Sequence, residues 1–260
     1  MRILLVADLH YSLPQYDWLL GTAAAYDLVV IAGDLLETNA MVDMSTQTVV
    51  VVNYLKRLRK VTEVLVCSGN HDLTAPNSFG EMSAEWARGL RRFQVGTDGD
   101  TLRIGDTLFT MCPWWDGPQT RDGISQQLAA AAEQRQGAWV WVHHAPPADV
   151  PISWNGQRHY GDVELVNWIA RYKPDVVFCG HVHEAPFSRG GSWVERIGDT
   201  WVFNAGRQIG PVPTCVAIDT DVGEAAWFSI EGAEAVSLTR PLERPIPPLT
   251  ALPQWMSRAD

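Results

Sequence analysis

Five short segments, spread over most of this chain, each close an apolar, β-branched run with side chains that bind metals. They are Asp8-Leu9-His10, Gly33-Asp34, Gly69-Asn70-His71-Asp72, His143-His144 and Gly180-His181-Val182-His183. The runs before them, Ile3–Ala7, Leu28–Ala32, Val64–Cys67, Trp139–Val142 and Val176–Cys179, read as buried strands. Buried strands end along a common edge of a sheet, so residues far apart in sequence converge there. An α/β fold builds its sites at the carboxyl ends of its strands in this way. Every histidine but His159 falls in these segments.

Between the strands the pattern turns helical. Helices are predicted around Gln15–Tyr26, Thr46–Arg59, Glu81–Arg92, Gly123–Arg135 and Val163–Tyr172, with Thr74–Gly80 as loop. Gly105-Asp106 and Gly198-Asp199 are hairpin turn signals. They join Thr101–Ile104 to Thr107–Cys112 and Trp193–Ile197 to Thr200–Phe203. Two further strands are expected at Thr214–Asp219 and Ala225–Ile230. The order implies parallel βα units first and antiparallel strands later, a layered α/β domain with helices outside. One domain over residues 1–238 is expected, followed by a proline-rich, extended arm over 239–260.

Composition narrows the function. The 260 residues suffice for one large α/β core. No apolar run reaches the roughly 18 residues of a membrane span. The chain enters its first strand at once, without the pattern of a signal peptide, so a cytoplasmic protein with no membrane partner is expected. Cys67, Cys112, Cys179 and Cys215 sit in or beside strand-like runs without C-x-x-C spacing, as buried free thiols do. A net charge of −10 argues against tracking long duplex nucleic acid. The densest basic cluster, Lys56 to Lys60, ends a predicted helix, where cations complement the helix dipole. Arg88, Arg91 and Arg92 read the same way. A small phosphate ester stays compatible, because bound cations would locally outweigh an acidic surface.

The ligand chemistry follows from residue types. Asp8 and His10 stand two apart and face one side of an extended chain, as do His181 and His183. The Asp34 carboxylate has two oxygens and is able to bridge. Asn70 offers a carbonyl oxygen, and His143 an imidazole. A mixed N/O set of this size, without sulfur, exceeds one ion and suits two borderline or hard ions such as manganese, iron or zinc. Two such ions hold a bridging hydroxide and clamp a phosphate. His144, next to His143, points the other way from an extended strand, and its role stays open between structural and functional.

Asp-x-His, Gly-Asp, Gly-Asn-His-Asp, a strand-terminal His and Gly-His-x-His, in this order, resemble the calcineurin-like metallophosphoesterase superfamily over about residues 1–210. Gly156-Gln157-Arg158-His159-Tyr160-Gly161 is similar to its bacterial single-domain members. The resemblance implies a four-layer αββα-type sandwich of two mixed sheets flanked by helices. It implies two divalent or mixed-valence ions, one on Asp8, His10 and His183, the other on Asn70, His143 and His181, with Asp34 bridging. It makes His71 a catalytic residue facing the substrate, oriented by Asp72.

The implied activity is hydrolysis of a small phosphodiester or phosphomonoester by a metal-bridging hydroxide. A nuclease or a non-catalytic metal-binding scaffold are the alternatives. The chain has no room for a DNA-binding cap, and it keeps the His71 that scaffold members tend to lose. Trp154, Asn155, Arg158 and His159, on the loop after His143, are the expected specificity residues. Trp114 and Trp115 are a pocket wall or, with twelve tryptophans in the chain, core.

Overall fold

The computed structural model describes residues 1–256. It contains two six-stranded mixed sheets stacked face to face with helices on both outer faces. The four-layer arrangement is the expected one.

In the first sheet Arg2–Val6, Leu28–Ala32 and Glu63–Cys67 run parallel, and Cys215–Asp219, Glu224–Phe228 and Ala233–Ser237 extend it antiparallel. In the second, Thr107–Met111, Trp139–Val142, Val176–Cys179 and Thr200–Asn204 are parallel. Thr101–Ile104 and Val194–Ile197 form its antiparallel edges. The register aligns the strand ends: Ala32 lies beside Cys67, and Val142 lies between Met111 and Phe178. The motif residues therefore leave both sheets along one edge.

Period-two alternation sorts the side chains. Ile3, Leu5, Leu28, Val30 and Val216 meet Phe109, Val140, Val142, Phe178 and Phe203 between the sheets. Leu4, Val6, Val29 and Ile31 face outward onto Tyr16, Leu19, Val51 and Leu55 of the helices Leu13–Thr22 and Met44–Leu58. On the opposite outer face Trp139, Trp141 and Val177 pack on Ile124, Leu128, Leu165 and Ile169 of the helices Pro118–Gln134 and Val163–Tyr172. All four cysteines are buried and free, as expected.

Three elements differ from expectation. Glu81–Arg92 is not one helix. A two-stranded pair, Ala75–Pro76 with Met82–Ser83, lies in and beside the expected loop, and only Glu85–Arg88 is α-helical before a 3₁₀ turn at Gly89–Phe93. The reason lies at Glu81. Its carboxylate accepts the Gln119 and Thr120 amides (2.8 and 2.7 Å), capping another helix across the chain. That helix starts at Pro118, five residues ahead of the expected start, because proline is well suited to a first helical turn. Ala233–Ser237 is an unexpected strand whose alternation is too weakly apolar to show in sequence.

The expected C-terminal arm, as far as residue 256, lies along this edge. The Leu249 amide donates to the Ala233 carbonyl (2.7 Å), and the buried Trp255 donates its indole N–H to Glu224 (2.9 Å). Residues 257–260 lie outside the described residues. Among the described residues no helix is long and apolar enough to cross a membrane.

Candidate metal centre

The sheet edges are laced together by backbone. The Asp8 and His10 amides donate to the Gly33 and Asp34 carbonyls (3.1 and 2.9 Å). The His181 amide, from the second sheet, donates to the Asp8 carboxylate at 3.1 Å. Asp8, His10, Asp34 and His181 all have positive φ, at 56, 44, 51 and 70°. Such backbone is uncommon outside glycine and concentrates at functional sites. Gly33 and Gly69 make the close approach possible. A Cβ on Gly33 would lie 2.2 Å from His144 Nδ1, and one on Gly69 2.2 Å from Asp34 Oδ1.

A donor group of His10, Glu37 and His71 adjoins two others that converge on Asp34. Asp8, His10, Asp34 and His183 form one of these, and Asp34, His144 and His181 the other, each with its donor atoms within 4.8 Å of one another. Asp34 is common to both. Its Oδ2 lies 3.5 Å from His10 Nε2 and 3.2 Å from His144 Nε2, while its Oδ1 accepts the His71 amide at 2.8 Å. His183 Nε2 is 3.2 Å from Asp8 Oδ1 and 3.1 Å from His10 Nε2. Asn70 Oδ1 joins the second group, 3.0 Å from His181 Nδ1. Asp8, His10, Asp34, Asn70, His181 and His183 are thus brought together as the sequence implied.

His143 is not brought in, which corrects the expected ligand set. Val140 and Val142 face the inter-sheet core, and Trp139 and Trp141 face the outer helices. Continuing that alternation sends His143 outward and His144 inward. His143 Nε2 lies 3.1 Å from the buried Asp162 carboxylate, which also accepts the Trp115 indole N–H (2.8 Å). His144 enters the centre in its place. Its Nδ1–H donates to the Ala32 carbonyl (2.6 Å), which turns Nε2 toward Asp34 and Asp8. That Nε2 is buried and has no hydrogen-bond partner.

The electrostatics ask for cations. Burial opposes a charged His144, yet the Asp34 and Asp8 carboxylates outweigh it and lift it to about 9. Burial would also raise the Asp8 and Asp34 carboxyls. The hydrogen bond from His183 to Asp8, and the His144 charge beside Asp34, hold them below the ordinary carboxylate range. Burial pushes His10 and His181 down to about 4, so their lone pairs are free at neutral pH. Paired buried carboxylates, neutral imidazoles and an orphaned His144 Nε2 fit hard or borderline metal ions.

Asp72 also differs from its expected role. It is fully buried and accepts the amides of Gly69 (2.8 Å), Leu36 (2.9 Å) and Leu35 (3.2 Å), tying the Asn70 turn to the Asp34 loop. The side chain beside His71 is Glu37. Its Oε1 lies 3.1 Å from His71 Nδ1, its Oε2 lies 3.0 Å from His10 Nδ1, and Thr38 Oγ1 is 3.0 Å from His71 Nδ1. A carboxylate three residues past Asp34, in the same loop, was the available signal.

The expected specificity loop lies apart from these donors. Trp154 donates its indole N–H to the Arg189 carbonyl (3.2 Å), and His159 pairs with Ser153 Oγ (3.0 Å). Asn155 accepts amides within its own turn, and Arg158 hydrogen-bonds to Tyr160 and lies over its ring. Among the described residues no such contact joins these four to a candidate ligand. Trp114 is the aromatic neighbour, its ring centroid 5.2 Å from His181 and 5.8 Å from His144. Arg207, whose amide donates to the His183 carbonyl (3.1 Å), brings a positive charge to bear on His10 and Glu37.

The chain belongs to the calcineurin-like phosphoesterase family, whose model matches residues 1–185. The family's general chemistry is metal-dependent hydrolysis of phosphoesters. The protein TT1561 of Thermus thermophilus shares the fold at 15% identity, with a TM-score of 0.60 over 91% of this chain and 98% of that one. The purple acid phosphatase PPD1 from yellow lupin seeds shares it at 14% identity, with a TM-score of 0.54 over 92% of this chain and 52% of that one. No curated protein matches the sequence at a significant level.

Proposed function

We propose that this protein hydrolyses a small phosphodiester or phosphomonoester at a pair of divalent ions. One ion is assigned to Asp8, His10, Asp34 and His183, the other to Asp34, Asn70, His144 and His181. The observation that carries this reading is the membership of Asp34 in both convergent donor groups. The all-N/O donor set suits manganese, iron or zinc. Bound there, such ions polarise a phosphoryl group and lower the pKa of water.

The chain's own residues supply the rest. His71 is partly exposed at the rim, and the Glu37 carboxylate and Thr38 hold its Nδ1. Its Nε2 is then the atom that hands a proton to the departing oxygen. Glu37 keeps that ring oriented, and its other oxygen lies 3.0 Å from His10 Nδ1. The positive charge of Arg207, which bears on His10 and Glu37, would favour a bound phosphoryl group.

The test is a panel of phosphomonoesters, cyclic nucleotides and other phosphodiesters assayed with manganese, zinc, iron or nickel. Turnover of bis-p-nitrophenyl phosphate, abolished by EDTA and restored by metal, is expected. No hydrolysis of any ester by protein shown to carry both ions would overturn the reading.

A further inference from the structure

A cleft of about 1030 Å³ opens beside the candidate metal centre. That is the upper end of the roughly 300–1,000 Å³ of small-molecule pockets. One wall is the helix Pro118–Gln134, and the other is the short strand pair around Asn77–Ser83. The walls are fixed to each other, since Glu81 caps that helix and the Met82 amide donates to Asp116 (2.8 Å). Trp114 lines the cleft and also touches His181 and His144, so the cleft and the centre share a wall.

Its lining has a distinct chemistry. Arg88 is the sole cation among the lining residues, and it is paired with Glu85 at 2.8 Å. Nothing there recruits a second phosphate. Instead there are amides, aromatic surface and the Glu85 and Asp98 carboxylates. Asn77 uses its Oδ1 on the Phe79 and Glu81 amides, which turns its NH₂ group outward as a donor. Gln119 and Gln126 line the same wall. Phe79, 68% exposed, stands at one rim and Trp114 at the inner end. Amide donors and acceptors together with two lining aromatic rings match a flat, uncharged ring system that carries hydrogen-bonding groups.

We infer that the cleft between Trp114 and Phe79 holds one ester arm of the substrate, and that this arm is a neutral, hydrogen-bonding ring system of the nucleoside class. The inference rests on the proposed phosphoesterase reading and narrows its substrate. It disfavours inorganic phosphate and small alkyl esters, which leave the cleft unused. It disfavours an oligonucleotide, whose next phosphate would meet no cation there.

Gly123 supplies the test. It sits inside the helix wall, lines the cleft, and a Cβ added there meets nothing within 4 Å. Gly123→Leu therefore fills the cleft while favouring the helix. The assay compares kcat/KM for thymidine 5′-(p-nitrophenyl) phosphate with that for methyl p-nitrophenyl phosphate. The wild type is expected to prefer the nucleoside ester by about tenfold or more, the range a few aromatic and hydrogen-bond contacts supply. Gly123→Leu is expected to bring that ratio down toward one.

Hydrolysis of both esters without preference, or a preference that Gly123→Leu leaves intact, overturns the inference while the phosphoesterase reading stands. If neither diester is hydrolysed, the diesterase half of that reading falls. The cleft is then decided by equilibrium binding of thymidine 5′-methylphosphonate: binding that Gly123→Leu weakens supports it, and no binding refutes it.

Discussion

Exchanging the neighbours His143 and His144 separately for alanine tests the placement of the centre most directly. Their side chains lie on opposite faces of one strand extension, so the two variants should fail in different ways. His143 is buried, and its Nε2 is 3.1 Å from the Asp162 carboxylate. Removing it leaves that carboxylate with the Trp115 indole and the Glu164 amide as donors. A lost hydrogen bond to a charged group costs about 1.5–3 kcal/mol, and the vacated ring space adds to it. A total of about 2–4 kcal/mol lowers the thermal midpoint of a chain this long by roughly 5–15 °C. Metal stoichiometry, read by elemental analysis of reconstituted protein, should not change.

His144→Ala should do the reverse. It removes a donor from the group formed with Asp34 and His181. One ion should be lost, and activity should fall by more than the roughly 10–100-fold that loss of a ligand's supporting partner already costs. If His143→Ala loses an ion and His144→Ala keeps both, the strand-face argument is wrong.

Three further outcomes are expected. His71→Ala should keep both ions while lowering kcat by about 10²–10⁴-fold, and Glu37→Gln by about 10–100-fold, since Glu37 acts through the His71 ring; loss of metal from His71→Ala would contradict its assigned role as a proton donor rather than a ligand. Asp34→Asn should weaken both ions at once in a metal titration, whereas a single, unaffected ion would rule out sharing. Burial lifts the Asp98 carboxyl from the ordinary 3.8 to about 6. The native state then binds more protons than the unfolded state between those values, so this group's stabilisation is present below pH 4 and lost as pH rises through 6. Asp98→Asn should remove that slope, raising stability at pH 7 by up to roughly 3 kcal/mol relative to wild type with little change near pH 4; parallel pH–stability curves for the two proteins would refute this.

The sequence carried most of the strands and the convergence of their ends, because both rest on local patterns. Val163–Tyr172 and Val176–Cys179 appear where expected, each set by a clear period and a sharp stop. What was not legible depended on long-range partners. Glu81 is a good helix former drawn away to cap Pro118–Gln134, thirty-eight residues on. Trp154, Arg158 and His159 are near His143 in sequence, but His143 itself faces away from the centre, and their loop is fastened to Arg189. Asp72 follows His71 directly, yet its carboxylate points to backbone amides, leaving Glu37 to meet the imidazole.

Strand parity explains both the one misplaced ligand and why the others are reached at all. Beyond Val142 the chain keeps its alternation through His143 and His144, neither of which has positive φ, and the inward position falls on His144. Elsewhere the same rule would give the wrong answer. Ala7 faces the inter-sheet core, so an extended Asp8 would point to the outer helices. Cys179 faces outward and Gly180 inward, so an extended His181 would point outward as well. Both residues instead turn through positive φ, at 56 and 70°, and come back to the centre. Such conformations cost of order 1–3 kcal/mol each and persist where surrounding bonds over-determine them. Here the His181 amide bonds the Asp8 carboxylate, and the Asp8 amide bonds Gly33 across the strand ends. A straight strand thus delivers His144, while strained turns retrieve Asp8 and His181. Motif spacing identified the retrieved pair, and only the burial pattern of Trp139–Val142 separates His144 from its neighbour.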